Sequence, residues 1–145
     1  MKINLIPAAG EGKRFKDAGY VLPKPLIPVD GVPMIVRAAQ SLPPADRWIF
    51  LVRREHVEGY HLDDVLKKHF PRAVIRIVEK LTEGQASTCL LAEDLVDPEA
   101  QLTIGACDTG MVYDMKTLAA EMNDSATDAL IWTFRSNPTV ERNPK

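Results

Sequence analysis

The segment Leu5–Phe15, which reads LIPAAGEGKRF, decides the fold and points to a ligand. An apolar run leads to Gly10 and Gly12, and the cations Lys13 and Arg14 follow directly. Glycines let backbone N–H groups approach phosphate oxygens closely, and the two cations neutralise phosphate charge. This order of residues is typical of a β-strand that ends in a loop around a nucleoside triphosphate.

Two better-known glycine motifs do not fit the spacing of this loop. A Walker A loop reads GxxxxGK[ST], but Pro7 stands where its first glycine belongs, and Arg14 replaces the Ser or Thr that binds magnesium. A dinucleotide-binding GxGxxG would need its third glycine where Phe15 stands. The loop is therefore a different phosphate-binding loop. The alternative is an ordinary strand-to-helix turn with solvated cations.

A second segment, Leu22–Val29, reads LPKPLIPV and places Lys24 between two prolines. Proline fixes its own φ angle and restricts the residue before it, so Lys24 projects from a stiff, extended segment. A cation on a rigid loop can stabilise charge on a reacting phosphate with little reorganisation. The alternative is a surface lysine in a proline-rich loop.

The rest of the chain alternates strand-like and helix-like segments. Short apolar or β-branched runs predict strands, and apolar residues at helical spacing predict helices. The predicted strands are 3–7, 48–52, 73–78, 102–106 and 129–134, and the predicted helices are 33–42, 57–70, 85–95 and 115–122. This repeat predicts an α/β fold, with a mostly parallel sheet and helices on both of its faces.

Polar residues follow the strands at the edge where such sheets bind ligands, beyond the carboxyl ends. Asp108 comes after the fourth strand, where a carboxylate is costly unless it binds a cation or caps a backbone group. Mg²⁺ is the natural cation beside a triphosphate, because it takes carboxylate and phosphate oxygens. Gly84 and Gln85, with Glu79, suit recognition of a nucleobase; an ordinary first helical turn is the alternative.

Composition excludes several classes of partner. The 145-residue chain is 46% hydrophobic and carries a formal net charge of −2, as is usual for one globular domain. No global charge attracts it to nucleic acid or an anionic membrane, and no apolar stretch approaches the roughly 20 residues that span a bilayer. The N-terminal apolar run is too short for a signal peptide. We therefore expect a cytoplasmic protein without nucleic acid or membrane partners.

The cysteines and histidines form no metal-binding pattern. Cys89 and Cys107 lie far apart, which predicts two buried thiols. His56, His61 and His69 do not pair at i, i+4, so we expect surface histidines in place of a zinc site.

The end of the chain differs in character from the rest. Residues 136–145 read SNPTVERNPK, a polar stretch with two prolines and no closing element. We interpret residues 1–135 as one nucleotide-binding domain. The tail is then the start of an acceptor-binding part that this chain lacks; a flexible tail is the alternative.

These segments together resemble the sugar-1-phosphate nucleotidyltransferases, or nucleotide-sugar pyrophosphorylases. The resemblance rests on residues 7–15, 22–35, 83–86 and the turn at Asp108, and it covers the family's N-terminal nucleotide-binding part. It implies a Rossmann-like, three-layer α/β/α fold of the nucleotide-diphospho-sugar transferase type. It also implies a magnesium-dependent reaction, used in polysaccharide synthesis, in which a sugar 1-phosphate oxygen attacks the α-phosphate of a nucleoside triphosphate and pyrophosphate leaves.

The resemblance also implies roles for single residues. Arg14 and Lys24 would be catalytic, and Asp108 would bind Mg²⁺. The nucleotide-binding residues would be Ala8, Ala9, Gly10, Gly12, Lys13, Glu79, Gly84 and Gln85. Such a transfer needs positioning and charge neutralisation and no protein nucleophile.

This sequence departs from the family's pattern at three points. Glu11 adds an acid to the glycine loop, and Cys107 precedes the aspartate where a small or polar residue is commoner. The third departure is that the family's second metal-binding aspartate and its sugar-binding residues belong to the C-terminal part, which we expect this chain to lack.

Three alternatives stay open: a nucleotide-binding module without turnover, a cytidylyltransferase for phosphocholine or another phosphorylated alcohol, and a GT-A-like glycosyltransferase. The base, the acceptor and the oligomeric state, including a homo-oligomer, stay open as well.

Overall fold

A parallel sheet forms the centre of the fold. The computed structural model describes residues 1–133 and 135. The strands of the sheet are β1 (Lys2–Ala8), β4 (Arg47–Arg53), β5 (Val74–Val78) and β6 (Gln101–Ile104); β2 (Pro28–Val29) and β3 (Val32–Pro33) form a separate antiparallel pair. The four parallel strands lie in the order β5-β4-β1-β6. Four of the five predicted strands are confirmed, and so is their parallel arrangement.

Helices that connect these strands cover both faces of the sheet, and one further helix follows the last of these strands in the sequence. The helices are α1 (Lys13–Asp17), α2 (Met34–Gln40), α3 (Arg54–Tyr60), α4 (Leu62–His69), α5 (Gln85–Leu90) and α6 (Met115–Asn123), with 3₁₀ turns at Lys24–Leu26 and Glu93–Leu95. Within residues 1–133 and 135, none of them combines the length and apolar character that crossing a bilayer requires.

Two apolar cores lie on opposite faces of the sheet, because successive side chains of a strand point to opposite sides. On one face, Ile6 and Phe50 pack with residues of α2 and α4 such as Ile35 and Leu66. On the other face, a second cluster contains Leu5, Ile49, Leu51, Val78 and Ala92. This arrangement confirms the three-layer α/β/α fold.

Two predicted helices are interrupted. The predicted helix 57–70 is two helices, because His61 adopts the left-handed conformation (φ 53°, ψ 40°) between α3 and α4. The predicted helix 85–95 ends early. After α5, Leu91 and Ala92 donate to carbonyls only three residues back, at 3.1 and 3.0 Å, and a 3₁₀ turn follows. Such i→i+3 bonds are typical where a helix ends.

The hairpin of β2 and β3 was not predicted, although the sequence carries its usual signal. Asp30 and Gly31 have φ angles of 49° and 76°, as a two-residue Asp-Gly turn of type I′ requires. The backbone N–H of Met34, at the start of α2, donates to Ile27 at 2.9 Å. The hairpin therefore joins the proline-rich segment firmly to α2.

The prediction of surface histidines is wrong for His56 and right for the other two. His56 is 2% exposed, whereas His61 and His69 are exposed. The two residues before His56, Arg54 and Glu55, are charged, and this pattern indicates an exposed segment. The side chain of His56 nevertheless points inward from α3. Cys89 and Cys107 are free thiols, as predicted, but each is only partly buried.

The chain divides into two compact units, Met1–Val112 and Tyr113–Lys145. In the second unit, Asp114 caps α6 by accepting from the Thr117 N–H at 2.7 Å.

The predicted strand 129–134 is wrong over 129–133, which contains no strand. Leu130 and Ile131 are 38% and 87% exposed, so no neighbouring strand buries this apolar run within the described residues. Residues 134 and 136–145 lie outside the described part, and the predicted tail stays a prediction.

Candidate active site

The candidate site lies where the strand order changes direction. β4 and β5 follow β1 on one side, whereas β6 pairs with β1 on its other side. In an open α/β sheet such a switch point forms a crevice beyond the carboxyl ends of the two strands. The glycine loop leaves β1 and the Asp108 turn follows β6, so both predicted loops border this crevice.

The glycine loop depends on the conformation of Gly12. Its φ of 62° is left-handed, a region that residues with a Cβ rarely adopt. A Cβ added at Gly12 would lie 3.1 Å from the Cβ of Lys24. The Gly12 carbonyl accepts from Phe15 at 2.9 Å and from Lys16 at 3.2 Å, which starts α1. Gly12 thus permits both the turn and the close approach of Lys24.

The Lys24 side chain contacts residues of both the Asp108 turn and the glycine-loop segment Leu5–Phe15. Its Nζ lies 2.5 Å from Oδ2 of Asp108, and the two side chains are only 23% and 37% exposed. The same Nζ lies 5.6 Å from the centroid of the Phe15 ring, within the range of a cation–π contact. Pro23 is extended, with φ −62° and ψ 146°, and its carbonyl accepts from Leu26 at 2.8 Å. Lys24 itself begins the 3₁₀ turn Lys24–Leu26. The extended backbone predicted at Lys24 is therefore wrong, because only Pro23 is extended, and the stiffness of the segment stays a prediction.

The segment that leads from β6 to Asp108 is closely packed at Gly105. The N–H of Gly105 donates to Leu5 at 3.0 Å, and a Cβ at Gly105 would lie 2.7 Å from a methyl group of Leu42. Burial raises the pKa of the Cys107 thiol to about 11, since its charged form would be poorly solvated. Cys107 therefore stays protonated at neutral pH and is unsuited to act as a nucleophile.

The remaining residues of the glycine loop face open space. Gly10, Glu11, Lys13 and Arg14 are exposed, and a Cβ at Gly10 would meet nothing within 4 Å. Arg14 forms no ion pair with any residue in the described part of the chain. These groups are thus available to a ligand in the crevice.

Ala8 and Ala9 differ from the rest of the predicted set, because their side chains lie in the core. Ala8 is 2% exposed and packs on one face of the sheet, and Ala9 is 4% exposed and packs on the other. Only their backbone groups remain for a nucleotide.

The predicted base-recognition loop lies at the end of β5. Gly84 and Gln85 are exposed, and the space beside Gly84 is open. The Thr88 hydroxyl donates to the Gly84 carbonyl at 3.0 Å and lies 2.5 Å from the Thr82 hydroxyl. The two threonine side chains therefore stabilise the loop through hydrogen bonds with each other and with the Gly84 carbonyl.

Glu79 already has a partner on the protein. Arg54 donates from Nε to Oε2 at 2.7 Å and from Nη2 to Oε1. The hydrogen bond from Arg54 lowers the pKa of Glu79. A nucleotide would have to compete with Arg54 for this carboxylate. Sequence reasoning missed this pairing, and it also missed the ring of Phe15 beside Lys24, since no local pattern signals either contact.

Asp108 stands apart from other metal-binding side chains. Among residues 1–133 and 135, no group of three or more His, Cys, Asp or Glu side chains is arranged to hold a metal ion. Mg²⁺ commonly binds through one or two carboxylates together with substrate phosphates. A partly exposed carboxylate at the crevice fits that mode of binding.

The fold and this site define an α/β domain of the nucleotidyltransferase class. The chain belongs to the family of MobA-like NTP transferase domains, whose sequence pattern covers residues 4–140. A comparison with curated proteins gives no match.

Solved structures share the fold at low sequence identity. A protein described as a glucose-1-phosphate thymidylyltransferase from Bacillus anthracis is 23% identical (TM-score 0.68; 83% of this chain, 50% of that one). A nucleoside-diphosphate-sugar pyrophosphorylase from Vibrio cholerae is also 23% identical (0.62; 80% and 52%). The inositol-1-phosphate CTP transferase from T. maritima is 22% identical (0.60; 72% and 43%). The chain spans about half the length of these proteins.

Proposed function

We propose that this protein is a nucleotidyltransferase that joins the nucleoside monophosphate part of a nucleoside triphosphate to a sugar 1-phosphate and releases pyrophosphate. The contact of Lys24 with Asp108 at the switch point, 2.5 Å long, carries the proposal. It places a candidate catalytic cation beside a candidate metal ligand, next to the left-handed Gly12. Membership of the NTP transferase family supports the triphosphate as substrate.

The residues present suit phosphoryl-type transfer without a covalent intermediate on the protein. An oxygen of the acceptor phosphate forms a bond to the α-phosphorus, and the bond from that phosphorus to the pyrophosphate oxygen breaks. Negative charge on the reacting phosphates is neutralised by Lys24 and by Arg14. The glycine loop donates backbone N–H groups to the triphosphate.

Asp108 is the residue that would hold Mg²⁺. The bound ion would neutralise phosphate charge and bring phosphate oxygens into a defined arrangement. The Lys24 ammonium group lies 2.5 Å from Oδ2 of this carboxylate. The same carboxylate would then hold the ion and orient the Lys24 ammonium group, so that both cations would lie beside the phosphates.

A sugar 1-phosphate is the acceptor that we favour. The names of the proteins from V. cholerae and B. anthracis refer to nucleotide sugars and a sugar 1-phosphate, which favours a sugar 1-phosphate. The T. maritima protein acts on inositol 1-phosphate, so a cytidylyltransferase for a phosphorylated alcohol is the second candidate. Roles in polysaccharide synthesis and in the cytoplasm stay predictions.

The test is an assay of pyrophosphate release with each common nucleoside triphosphate, Mg²⁺, and either glucose 1-phosphate or phosphocholine. We expect release that requires an acceptor and stops when EDTA removes the metal. Triphosphate binding without release would support a module that lacks turnover. Tighter binding of a nucleoside diphosphate sugar than of any triphosphate would support a glycosyltransferase and contradict the proposal.

A further inference from the structure

The end of α2 contacts the chain on both sides of Asp108. Asp108 lies in the turn after β6, three residues after Gly105 and three residues before Met111. The two residues that follow α2 contact these flanking positions: Leu42 lies against Gly105, and Ser41 hydrogen-bonds Met111. The Asp108 turn is therefore attached to the end of α2 at two points.

The Ser41 hydroxyl is used both as a donor and as an acceptor. It donates to the Ala38 carbonyl of α2 at 2.7 Å, and its oxygen accepts from the Met111 N–H at 3.0 Å. A hydroxyl has a single hydrogen, so the bond to Ala38 directs an oxygen lone pair toward Met111. Ser41 and Met111 are both partly buried, where water competes less for such a bond. The hydroxyl therefore fixes the backbone shortly after Asp108 to the last turn of α2.

Apolar packing adds to this attachment without orienting the backbone. Leu42 belongs to the core cluster on one face of the sheet, and Cys107 and Met111 pack against that cluster. Apolar contacts are not directional. The hydrogen bond from Met111 to Ser41 is therefore the contact that orients the peptide group at Met111.

The opposite end of α2 holds the segment that carries Lys24. The N–H of Met34, the first residue of α2, donates to the Ile27 carbonyl at 2.9 Å. Leu26 packs in the same core cluster as residues of α2. α2 has seven residues, which corresponds to about 10 Å at 1.5 Å per residue. A helix of fixed length thus connects the Lys24 segment with the Asp108 turn.

We propose that Ser41 is a positioning residue for the candidate metal site. The Lys24 ammonium group and the Asp108 carboxylate lie 2.5 Å apart, and each belongs to a segment that is attached to one end of α2. Ser41 acts through the backbone of the Asp108 turn and sets where its carboxylate lies relative to Lys24. Loss of a group that orients a metal ligand commonly weakens metal binding by about 10–100-fold. This inference rests on the proposed function, because it requires that Asp108 binds Mg²⁺.

The test compares Ser41→Ala, which removes the hydroxyl, with Ser41→Thr, which keeps it. Pyrophosphate release is measured against Mg²⁺ concentration, with the triphosphate and acceptor that the wild-type protein uses best. We expect Ser41→Ala to raise the Mg²⁺ concentration for half-maximal release about tenfold. Its affinity for inorganic tripolyphosphate in EDTA should stay within about twofold, because the glycine loop is unchanged. Ser41→Thr should stay within about threefold of the wild-type Mg²⁺ requirement, since it keeps the same donor and acceptor.

Amide hydrogen exchange gives a second readout, which does not depend on activity. Loss of the bond to Ser41 should speed exchange of the Met111 N–H about threefold or more in Ser41→Ala but not in Ser41→Thr. The matched control is Gln40→Ala, which truncates the exposed side chain next to Ser41. It should change neither the Mg²⁺ requirement nor the exchange of the Met111 N–H.

A purely structural role for Ser41 predicts a different result. Ser41→Ala would then lower the free energy of unfolding and leave the Mg²⁺ requirement unchanged, and this outcome would overturn the inference. An equal rise in the Mg²⁺ requirement in Ser41→Ala and Ser41→Thr would overturn it as well, and so would an equal rise in Gln40→Ala. A wild-type protein that binds no tripolyphosphate and releases no pyrophosphate would instead overturn the proposed function, and this inference with it.

Discussion

Several neighbouring groups constrain Lys24 in the candidate site. Prolines on both sides limit its backbone, Asp108 pairs with its ammonium group, and the Phe15 ring lies beside it. Gly12 leaves room for its Cβ. An ammonium group that is already positioned needs little reorganisation to stabilise charge during a reaction. The geometry therefore favours a role in turnover over a role in binding alone.

Replacing Lys24 by alanine tests this distinction. We expect Lys24→Ala to lower kcat by about 100-fold or more, as loss of one charge-stabilising donor does, and to weaken triphosphate affinity less than about threefold. Steady-state pyrophosphate release and calorimetry measure the two effects. The control is Lys67→Ala on the exposed surface of α4, which should change neither. Equal losses in kcat and affinity in Lys24→Ala would mean that Lys24 only aids binding.

Gly12 and Gly10 form a matched pair for testing the loop. Gly12 is left-handed and close to Lys24, whereas Gly10 has open space at its Cβ position. Gly12→Ala should lower the free energy of unfolding by about 1–3 kcal/mol, the usual cost of a left-handed residue other than glycine. Gly10→Ala should lower it by much less. Urea denaturation compares the two, and equal losses would contradict the role assigned to Gly12.

Sequence spacing predicts Gly12, Lys24 and Asp108 as candidate site residues, because glycine and proline act on the backbone locally. It could not predict their mutual contacts, since Lys24 and Asp108 lie far apart in the sequence and meet only when the sheet forms. The pairing of Glu79 with Arg54, 25 residues away, was hidden for the same reason. Local patterns also gave no sign that His56 is buried.

Secondary structure elements with a continuous apolar pattern were predicted best. β1 and β4 are covered on both faces, so their residues form largely apolar runs that the sequence displays. The buried Asn4 interrupts the run in β1, and its side-chain amide donates to the Pro43 carbonyl at 2.8 Å. The interruptions were not predicted. The left-handed His61 between α3 and α4 has no glycine to signal it. The run 129–133 reads like a strand, but a strand also needs a partner, which a local pattern cannot supply.

The contact between Gly105, the residue after β6, and Leu42, which lies just beyond α2, supports the segment that leads to Asp108. A Cβ at Gly105 would meet both methyl groups of Leu42, at 2.7 and 2.9 Å. Gly105→Ala should therefore destabilise the protein by about 1–3 kcal/mol through overpacking. Leu42→Ala should cost about 2–5 kcal/mol because it leaves a cavity.

The double variant separates this contact from other causes of instability. If the two side chains compete for one space, Gly105→Ala with Leu42→Ala should lose less stability than the sum of the single losses. Thermal and urea unfolding of the four proteins complete the cycle. Strictly additive losses would show that Gly105 and Leu42 do not constrain each other.

At the scale of the whole molecule, the strand order creates the site. The β-α repeat predicts parallel strands, but it does not say on which side of β1 each later strand pairs. β6 pairs with β1 on the side away from β4. This pairing places the Asp108 turn next to the glycine loop. The net charge of −2 gives no general attraction to polyanions, so triphosphate binding has to come from this local arrangement.

Whether a triphosphate binds at the crevice between β1 and β6 is tested most directly by backbone amide NMR. The chemical shifts are mapped on addition of a non-hydrolysable nucleoside triphosphate analogue with Mg²⁺. We expect shifts at residues 10–14, at Lys24 and at Asp108, along the carboxyl edge of the sheet. Residues at the amino edge, such as Asp46 and Ala73, should not respond. Shifts confined to the amino edge, or no shifts at saturating analogue, would contradict a triphosphate site at the crevice between β1 and β6.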